Sequence, residues 1–341
     1  MNDILFEKRG SIGLVTLNRV KPLNALTHEM IKALADQLDA WKTDPDVAAV
    51  VLTSASERAF SAGADIRAIY QSRMNPPLDF FRDEYRMNCE IFSYPKPYVS
   101  LAEGILMGGG VGISVHGSHV AAGEAVKFAM PETGIGLFPD IGGSYFLSRM
   151  PGFLGTYCAL TGARLNQRDC FAAGLVTHTM KSKHFSEIVE KLAEGAEPTT
   201  LLNAYVEDAI APSLDAEKRD MIEEVFSANS VLEVMDRLER HNSDFAAETL
   251  ALLRSRSPLS VHIAFEQVIR GIDMGFNDCM AMEFRIVERV IRGDEFYEGV
   301  RATIIDKDGA PRWQPSEFDQ VTPDLLQSFF SPLENVPELF D

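Results

Sequence analysis

The first part of the chain alternates short apolar runs with longer segments in which apolar residues recur every three or four positions. Residues 4–8 (ILFEK) and 12–17 (IGLVTL) are separated by a short polar turn, which predicts a β-hairpin. Residues 28–42 carry apolar side chains at helical spacing behind Thr27, a residue suited to cap the helix. Residues 48–54 (AAVVLTS) are apolar at their centre, as in a strand covered on both faces. These elements predict an α/β fold.

The alternation of strands and helices is predicted to end near residue 183. Upstream of this point, the last strand signal covers residues 175–180. Downstream of it, the predicted helices are 184–195, 199–210, 216–226, 231–240, 244–254, 259–272 and 276–292. The sequence therefore predicts an α/β core over residues 1–183 and a mainly helical region over residues 184–341. The Pro-containing end of that region is expected to be loosely held.

Composition excludes several classes of partner. The chain has 341 residues and a formal net charge of −18, so it lacks the basic footprint expected for nucleic-acid binding. No apolar run approaches the ~20 residues that a helix needs to cross a bilayer, so no membrane partner is expected. Strand-like sequence begins at Ile4, which leaves no room for a targeting peptide, and a cytoplasmic location is therefore expected.

The four cysteines give no sign of a metal site. Cys89, Cys158, Cys170 and Cys279 are scattered along the chain, without a CxxC pair or histidines at ligand spacing. They are interpreted as buried thiols of a reducing compartment. No metal is predicted.

Candidate chemistry concentrates between residues 104 and 143. Three consecutive glycines, Gly108 to Gly110, separate an apolar run from a segment that continues as a helix. Glycines let a ligand approach the main chain, and the N–H groups at the start of a helix favour a negative charge. Two acids follow, Glu132 in MPET and Asp140 in FPD, each beside a proline in an apolar setting. This combination predicts oxyanion stabilisation together with acid–base or nucleophilic chemistry.

Three ordered motifs, ERAFSAGADI, EGILMGGGVGIS and FAMPETGIGLFPDIGG, resemble those of the crotonase (enoyl-CoA hydratase/isomerase) superfamily. The resemblance implies a spiral of repeated ββα units followed by a helical C-terminal region, and a substrate that is an acyl-CoA thioester. Matched motif to motif, it implies that the backbone N–H groups of Ala64 and Gly109 hold the thioester oxygen. Lys21, Ala62 and Asp65 are the candidate residues for binding the CoA part of such a substrate. Coenzyme A then belongs to the substrate, and no separate cofactor is implied.

Within the superfamily, the chain is most similar to the branch of 3-hydroxyisobutyryl-CoA hydrolases, which act in valine breakdown. This similarity extends over nearly the whole chain and includes the segments FRDEYRMN, LTGARL and EGVRATIIDKDGAPRWQP. It implies hydrolysis of a short 3-hydroxyacyl-CoA, with Glu132 and Asp140 as the catalytic pair. The same resemblance places both acids, together with Glu84 and Gly109, in contact with the substrate.

One departure from the hydratases supports the hydrolase branch. Typical hydratases carry a second glutamate two residues after the three glycines, where this chain has Gly112, and usually have glycine at the position of Asp140. A hydratase or isomerase acting on enoyl-CoA and a non-catalytic acyl-CoA-binding protein stay open as alternatives. Two routes also stay open for Glu132, namely direct attack to give a mixed anhydride and general-base activation of water. The oligomeric state is open as well, with a homo-oligomer as one outcome.

Overall fold

The computed structural model describes residues 2–207 and 210–341. Two compact units make up the chain, and each is assembled from three separated segments. The first unit comprises Met1–Asp65, Arg86–Ala129 and Arg164–Ser213, and the second comprises Ile66–Tyr85, Met130–Ala163 and Leu214–Asp341. These interleaved segments differ from the contiguous ranges 1–183 and 184–341, because the chain leaves and re-enters each compact unit twice. A domain boundary at residue 183 stays a prediction.

The first unit contains two sheets. Their strands are β1 (Ile4–Arg9), β2 (Ile12–Leu17), β3 (Ala49–Ser54), β4 (Ala59–Ser61), β5 (Tyr98–Ala102), β6 (Ile105–Met107), β7 (His119–Ala122), β8 (Lys127–Ala129), β9 (Leu165–Asn166) and β10 (His178–Thr179). Within the described residues, the larger sheet has the order β1-β2-β3-β5-β7-β10 and the smaller sheet the order β4-β6-β8-β9. β1 and β2 form the predicted antiparallel hairpin, and the other pairs of the larger sheet are parallel.

Most of the remaining secondary structure is helical. They are α1 (His28–Lys42), α2 (Ile66–Gln71), α3 (Leu78–Phe92), α4 (Gly109–Gly112), α5 (Gly143–Phe146), α6 (Leu154–Thr161), α7 (Gln167–Ala172), α8 (Phe185–Ala193), α9 (Pro198–Asn203), α10 (Ala216–Phe226), α11 (Val231–Arg240), α12 (Asp244–Arg254), α13 (Pro258–Gly271), α14 (Phe276–Val290), α15 (Glu295–Val300) and α16 (Pro323–Phe330), with a π-helical turn at Arg301–Ile305. Beyond Thr179 the described residues contain no strand, as predicted. None of the described helices is long and apolar enough to cross a membrane.

The core of the first unit follows the predicted pattern. The Thr27 side chain accepts the Met30 N–H and so caps α1, as predicted. The apolar residues of α1 are buried as expected: Met30, Ile31, Leu34, Leu38 and Trp41. A further cluster joins strands β2, β3 and β5 to α8 through Ile12, Val51, Val99, Ile188 and Leu192. Burying an aliphatic side chain of this size contributes about 1.5–3 kcal/mol, so these contacts hold the sheet and its helices together.

Three strands of the smaller sheet are only three residues long, and the sequence does not delimit them. Three residues span little more than one period of side-chain alternation, so they carry no readable pattern. β4 pairs in parallel with β6, and β6 with β8. Because the carboxyl ends of parallel strands lie at the same edge, this pairing brings the loop after Ser61 beside the loop after Met107.

Two expectations about the helical region need correction. The helix predicted over 199–210 is shorter and ends at Asn203, because the Glu207 N–H donates to the carbonyl oxygen of Thr179 in β10. Residues 208 and 209 of that predicted helix lie outside the described residues. The C-terminal tail was expected to be loose, yet Leu339 is fully buried and the Glu338 carboxylate accepts from Arg285 at 3.0 Å. A buried apolar side chain and an ion pair hold the tail in place.

Candidate active site

Two loops in the first unit carry the predicted oxyanion donors. The first follows β4 and turns at Gly63, whose φ of +94° disfavours any residue with a Cβ. A Cβ on Gly63 would lie 3.2 Å from the N atom of Gly109 and 3.1 Å from the carbonyl oxygen of Met107. Glycine at this position therefore lets the loop that carries Ala64 lie against the loop that carries Gly109.

The backbone geometry leaves both predicted N–H groups outside the local hydrogen-bond pattern. The Leu26 N–H donates to Gly63 at 2.8 Å, and the Leu26 carbonyl accepts from Asp65 at 2.9 Å. In such a parallel bridge, the N–H of Ala64 between them points to the opposite side of the chain. Gly109 is the first residue of α4, and the first N–H of a helix has no acceptor within that helix. Both amides are therefore left without an acceptor in these local patterns, and their role as an oxyanion hole stays a prediction.

The residues predicted to bind CoA lie beside the first of these loops. Lys21 is exposed. Two residues further along the chain, the carbonyl oxygen of Leu23 accepts a hydrogen bond from the Ala62 N–H at 2.9 Å. The Asp65 carboxylate accepts from the Arg19 guanidinium at 2.7 Å, which neutralises its charge. Of the three predicted residues, Lys21 is the one that offers a positive charge to a phosphate. Contact with CoA stays a prediction for all three.

The three predicted acids are buried in the second unit. Glu84 belongs to α3, Glu132 opens a 3₁₀ turn at Glu132–Ile135, and Asp140 stands just before Ile141. The exposed fractions of Glu84, Glu132 and Asp140 are 1%, 6% and 5%. Carboxyl groups are almost never buried to this extent unless they are paired or protonated, so the three groups are unusual for structural acids.

Burial and mutual repulsion raise the pKa values of these acids. Loss of solvation raises the pKa of Glu84 and of Glu132 well above its ordinary value, and the charge of Asp140 raises both further. Burial also raises the pKa of Asp140 to about 7, although a hydrogen bond from Tyr85 opposes the rise. At neutral pH the three groups are not all ionised. The cluster therefore contains both proton donors and proton acceptors, as acid–base chemistry requires.

Tyr85 holds one oxygen of Asp140. Its hydroxyl donates to Oδ2 at 2.9 Å, and burial raises the pKa of Tyr85, so the hydroxyl remains a donor. In the part of the chain that the structure describes, Glu84 Oε1 and Glu132 Oε2 are buried without a hydrogen-bond partner. An unsatisfied buried polar atom costs about 1–3 kcal/mol, which a polar group of a ligand would offset. The acids are thus arranged to bind hydroxyl, carbonyl or water oxygens.

Two buried residues of this cluster, Tyr85 and Glu283, are missing from the sequence prediction. Tyr85 lies within the motif FRDEYRMN, so the motif itself was the available signal. Glu283 accepts hydrogen bonds from the turn that follows Asp140. The indication from the sequence was weaker for Glu283. This residue lies three positions after Met280 and four before Val287, on the apolar face of α14. A carboxyl group at such a position calls for a specific partner.

The cysteines are buried, as predicted, and form no disulfide among the described residues. Across residues 2–207 and 210–341, no group of three or more His, Cys, Asp and Glu side chains is arranged to hold a metal ion.

Residues 12–330 match the family described as enoyl-CoA hydratase/isomerase. The chain belongs to this family. A crystal structure of a carnitinyl-CoA dehydratase from Mycobacterium thermoresistibile is 37% identical with a TM-score of 0.94, and the match covers 99% of this chain and 98% of that one. A crystal structure of an enoyl-CoA hydratase from Rhodobacter sphaeroides 2.4.1 is 36% identical with a TM-score of 0.90, covering 97% and 98%. The predicted crotonase-like α/β fold with a helical C-terminal region is confirmed.

Curated relatives within the enoyl-CoA hydratase/isomerase family are similar over nearly their whole length. The mitochondrial 3-hydroxyisobutyryl-CoA hydrolase of Gallus gallus is 41% identical over 98% of this chain and 90% of its own. The enzymes of the same name from Danio rerio and Homo sapiens are 43% and 41% identical, over 98% and 97% of this chain and 90% and 89% of their own. The predicted similarity to this branch is confirmed.

The predicted cytoplasmic location is wrong. These relatives are named as mitochondrial, which contradicts it. The prediction rested on the position of the first strand in the sequence, and that position does not determine the compartment.

Proposed function

We propose that this member of the enoyl-CoA hydratase/isomerase family hydrolyses the thioester of a short 3-hydroxyacyl-CoA. The proposed substrate is 3-hydroxyisobutyryl-CoA and the products are 3-hydroxyisobutyrate and CoA, which would place the enzyme in valine catabolism. The observation that carries the proposal is the buried pair Glu132 and Asp140, in which one acid raises the pKa of the other. Such a pair can hold a proton for a leaving thiolate and accept one from water near neutral pH. The names of the curated relatives support the choice of substrate.

The thioester carbonyl is proposed to bind at the N–H groups of Ala64 and Gly109. Addition to the carbonyl carbon places negative charge on its oxygen, which two preorganised donors stabilise. Loss of one donor of this kind typically costs ~2.7–4 kcal/mol of barrier. The lack of room for a Cβ at Gly63 supports this assignment, because a side chain there would push the two donor loops apart.

Two routes complete the hydrolysis. Both routes start from the protonation state in which Asp140 carries the proton of the coupled pair and Glu132 is ionised. In the first, Glu132 accepts a proton from water as the water oxygen bonds to the carbonyl carbon. The C–S bond then breaks, Asp140 gives its proton to sulfur, and the proton on Glu132 returns to Asp140. In the second, the Glu132 carboxylate bonds to the carbonyl carbon and CoA leaves with a proton from Asp140. Water then cleaves the mixed anhydride, gives one proton to Asp140 and releases the carboxylic acid and the Glu132 carboxylate. Each route consumes one thioester and one water and yields one carboxylic acid and one thiol.

Turnover in H₂¹⁸O gives a positive test for an anhydride that water cleaves at its glutamyl carbonyl. If water attacks the thioester directly, the label enters the product and never Glu132. If an anhydride forms and water attacks its glutamyl carbonyl, the label enters the Glu132 side chain. Mass spectrometry of the peptide that contains Glu132, after many turnovers, reads the difference.

Glu84 is proposed to accept the 3-hydroxyl of the substrate. Its buried Oε1 has no partner among the described residues, which supports this role. A site that pairs with a hydroxyl discriminates against an analogue that lacks it. We expect Glu84→Gln to lose at least about tenfold in kcat/KM with 3-hydroxyisobutyryl-CoA and much less with isobutyryl-CoA. Equal losses with both thioesters would remove Glu84 from hydroxyl recognition.

Hydration of an enoyl-CoA is the second candidate. It is favoured by the two solved structures with TM-scores of 0.94 and 0.90, which are named as a dehydratase and a hydratase. Against it stands Gly112, buried at the end of α4, which offers no carboxyl group to pair with Glu132. A panel of saturated, enoyl and 3-hydroxyacyl thioesters separates the candidates. Thiol release that Glu132→Gln abolishes supports hydrolysis, whereas loss of enoyl absorbance without thiol release would overturn it in favour of hydration. Binding without either reaction would support a non-catalytic acyl-CoA-binding protein.

A further inference from the structure

A buried acid that the proposed mechanism does not use lies on α14. Glu283 has an exposed fraction of 0%, and burial raises its pKa to about 8 even though its hydrogen bonds oppose the rise. All the donors belong to one turn. The Gly142 N–H donates to Oε2 of Glu283 at 2.7 Å, and the Ser144 N–H donates to Oε1 at 2.8 Å. The Ser144 hydroxyl donates to the same Oε1. Both oxygens of Glu283 are thus directed to the backbone of a single turn.

That turn follows Asp140 directly and has a strained backbone. Ile141 has a φ of +53° and Gly142 a φ of +88°. The left-handed region costs a β-branched residue such as Ile141 on the order of 1–3 kcal/mol, and it persists only where the surroundings impose it. The Glu283 bonds fall on Gly142, next to the strained Ile141, and on Ser144, two residues further. They are placed to impose the conformation of Ile141.

We propose that Glu283 is a positioning residue for Asp140, which holds residues 142–144 in place and thereby fixes where the Asp140 carboxyl group points. The inference rests on the proposed function, since it acts through the acid of that reaction. Two contacts then fix Asp140: Tyr85 binds its carboxyl group, and Glu283 holds the turn that follows it. A displacement of a reacting group by about 1 Å can cost on the order of 10²-fold in rate.

Glu283→Gln is the first test. Glutamine keeps the size and one acceptor oxygen, but its NH₂ group faces a backbone N–H that needs an acceptor, so one of the two backbone bonds is lost. We expect kcat for 3-hydroxyisobutyryl-CoA to fall about 10–100-fold while KM stays within about twofold. The matched control is Glu288→Gln on the same helix, whose largely buried carboxylate pairs with Arg292 and not with the turn. The control should leave kcat and KM unchanged.

A double-mutant cycle separates positioning from a general structural effect. In an Asp140→Asn background, Glu283→Gln should cost less than about threefold in kcat, because no acid remains to be positioned. A loss of the same factor in both backgrounds would overturn the proposal. If Asp140→Asn alone keeps wild-type turnover, the proposed role of Asp140 fails and the positioning role fails with it. If Asp140→Asn is impaired while Glu283→Gln keeps wild-type kcat, only the positioning role fails.

Ser144→Ala keeps the proposal testable if Glu283→Gln does not fold, as judged by circular dichroism. This change removes one contact to the Glu283 carboxylate and leaves both backbone bonds in place. We expect kcat to fall about three- to tenfold with KM unchanged, and the loss to disappear in the Asp140→Asn background. Wild-type kcat in a folded Ser144→Ala variant, with Glu283→Gln unfolded, would assign Glu283 to stability alone and overturn the proposal.

Discussion

The hydroxyl of Tyr85 offers a small perturbation of the proton balance among the buried acids. Tyr85→Phe removes the donor that lies 2.9 Å from Asp140 Oδ2 and keeps the ring, whose edge contacts with Phe81 and Phe284 are retained. A hydrogen bond to a charged group is worth about 1.5–3 kcal/mol, and one pKa unit corresponds to about 1.36 kcal/mol. The bond favours the ionised form of Asp140, so its loss should raise the pKa of Asp140 from about 7 by about 1–2 units.

The assay is the pH dependence of kcat, followed by thiol release from about pH 5 to about pH 10. The limb of the profile that reports Asp140 should move to higher pH by about 1–2 units, whether Asp140 acts as acid or as base. Tyr94→Phe is the matched control, since that hydroxyl donates to the backbone carbonyl of Leu38 at 2.7 Å and not to an acid. It should leave both limbs in place.

The reasoning would be refuted by a profile that does not move. If both limbs of Tyr85→Phe coincide with those of the wild type while Asp140→Asn is strongly impaired, the hydroxyl of Tyr85 does not control the protonation of Asp140. The raised pKa would then follow from burial alone.

Three further predictions concern the acids and the amide loops. Glu132→Gln should lower kcat by at least about 10²-fold, while acyl-CoA binding, measured by calorimetry, should largely survive. The effect of this change should be non-additive with that of Asp140→Asn. Near-wild-type turnover would remove Glu132 from catalysis. Gly63→Ala should lower kcat/KM by about 10²–10³-fold, because the added Cβ lies 3.2 Å from the N atom of Gly109. The matched control is Gly174→Ala, at a residue that has a φ of +75° and no atom within 4 Å of the added Cβ. This control has the same kind of backbone cost and should keep its activity. A comparable loss in both glycine variants would assign the effect to backbone strain. Asp140→Asn should stabilise the fold more at pH 8 than at pH 5, as measured by urea unfolding. The pKa of Asp140 is raised from 3.8 to about 7, so its contribution to stability is complete below about pH 4 and is lost as pH rises through about 7. That rise corresponds to at most about 4 kcal/mol, and a stabilisation independent of pH would contradict it.

Local sequence signals determined most of the secondary structure. The helices from α10 to α14 begin and end within two residues of the predicted bounds, because each is a separate amphipathic segment. Four of the five also carry their own side-chain cap: Asp215, Ser230, Ser243 and Ser257. A cap and an apolar face act within one or two turns, so neither depends on distant residues. The three-residue strands β4, β6 and β8 are the opposite case, since they are defined only by pairing with strands elsewhere in the chain.

Some features of the candidate site were likewise determined by local sequence, and others only by the tertiary structure. Gly63, Gly109, Glu132 and Asp140 stand in contiguous motifs, so the sequence alone located the amide loops and the two acids. Their catalytic roles stay predictions. Tertiary structure decided the environment of the acids: that Glu84 is buried with them, and that Tyr85 donates to Asp140.

Glu283 shows why that environment could not be read along the chain. It meets Ser144 across 139 residues of sequence. Whether a carboxyl group is solvated, protonated or held by a backbone depends on which segments pack around it, and those segments are distant in sequence. The candidate residues of this protein could therefore be identified from local sequence, whereas their pKa values and hydrogen-bond partners were decided by the fold.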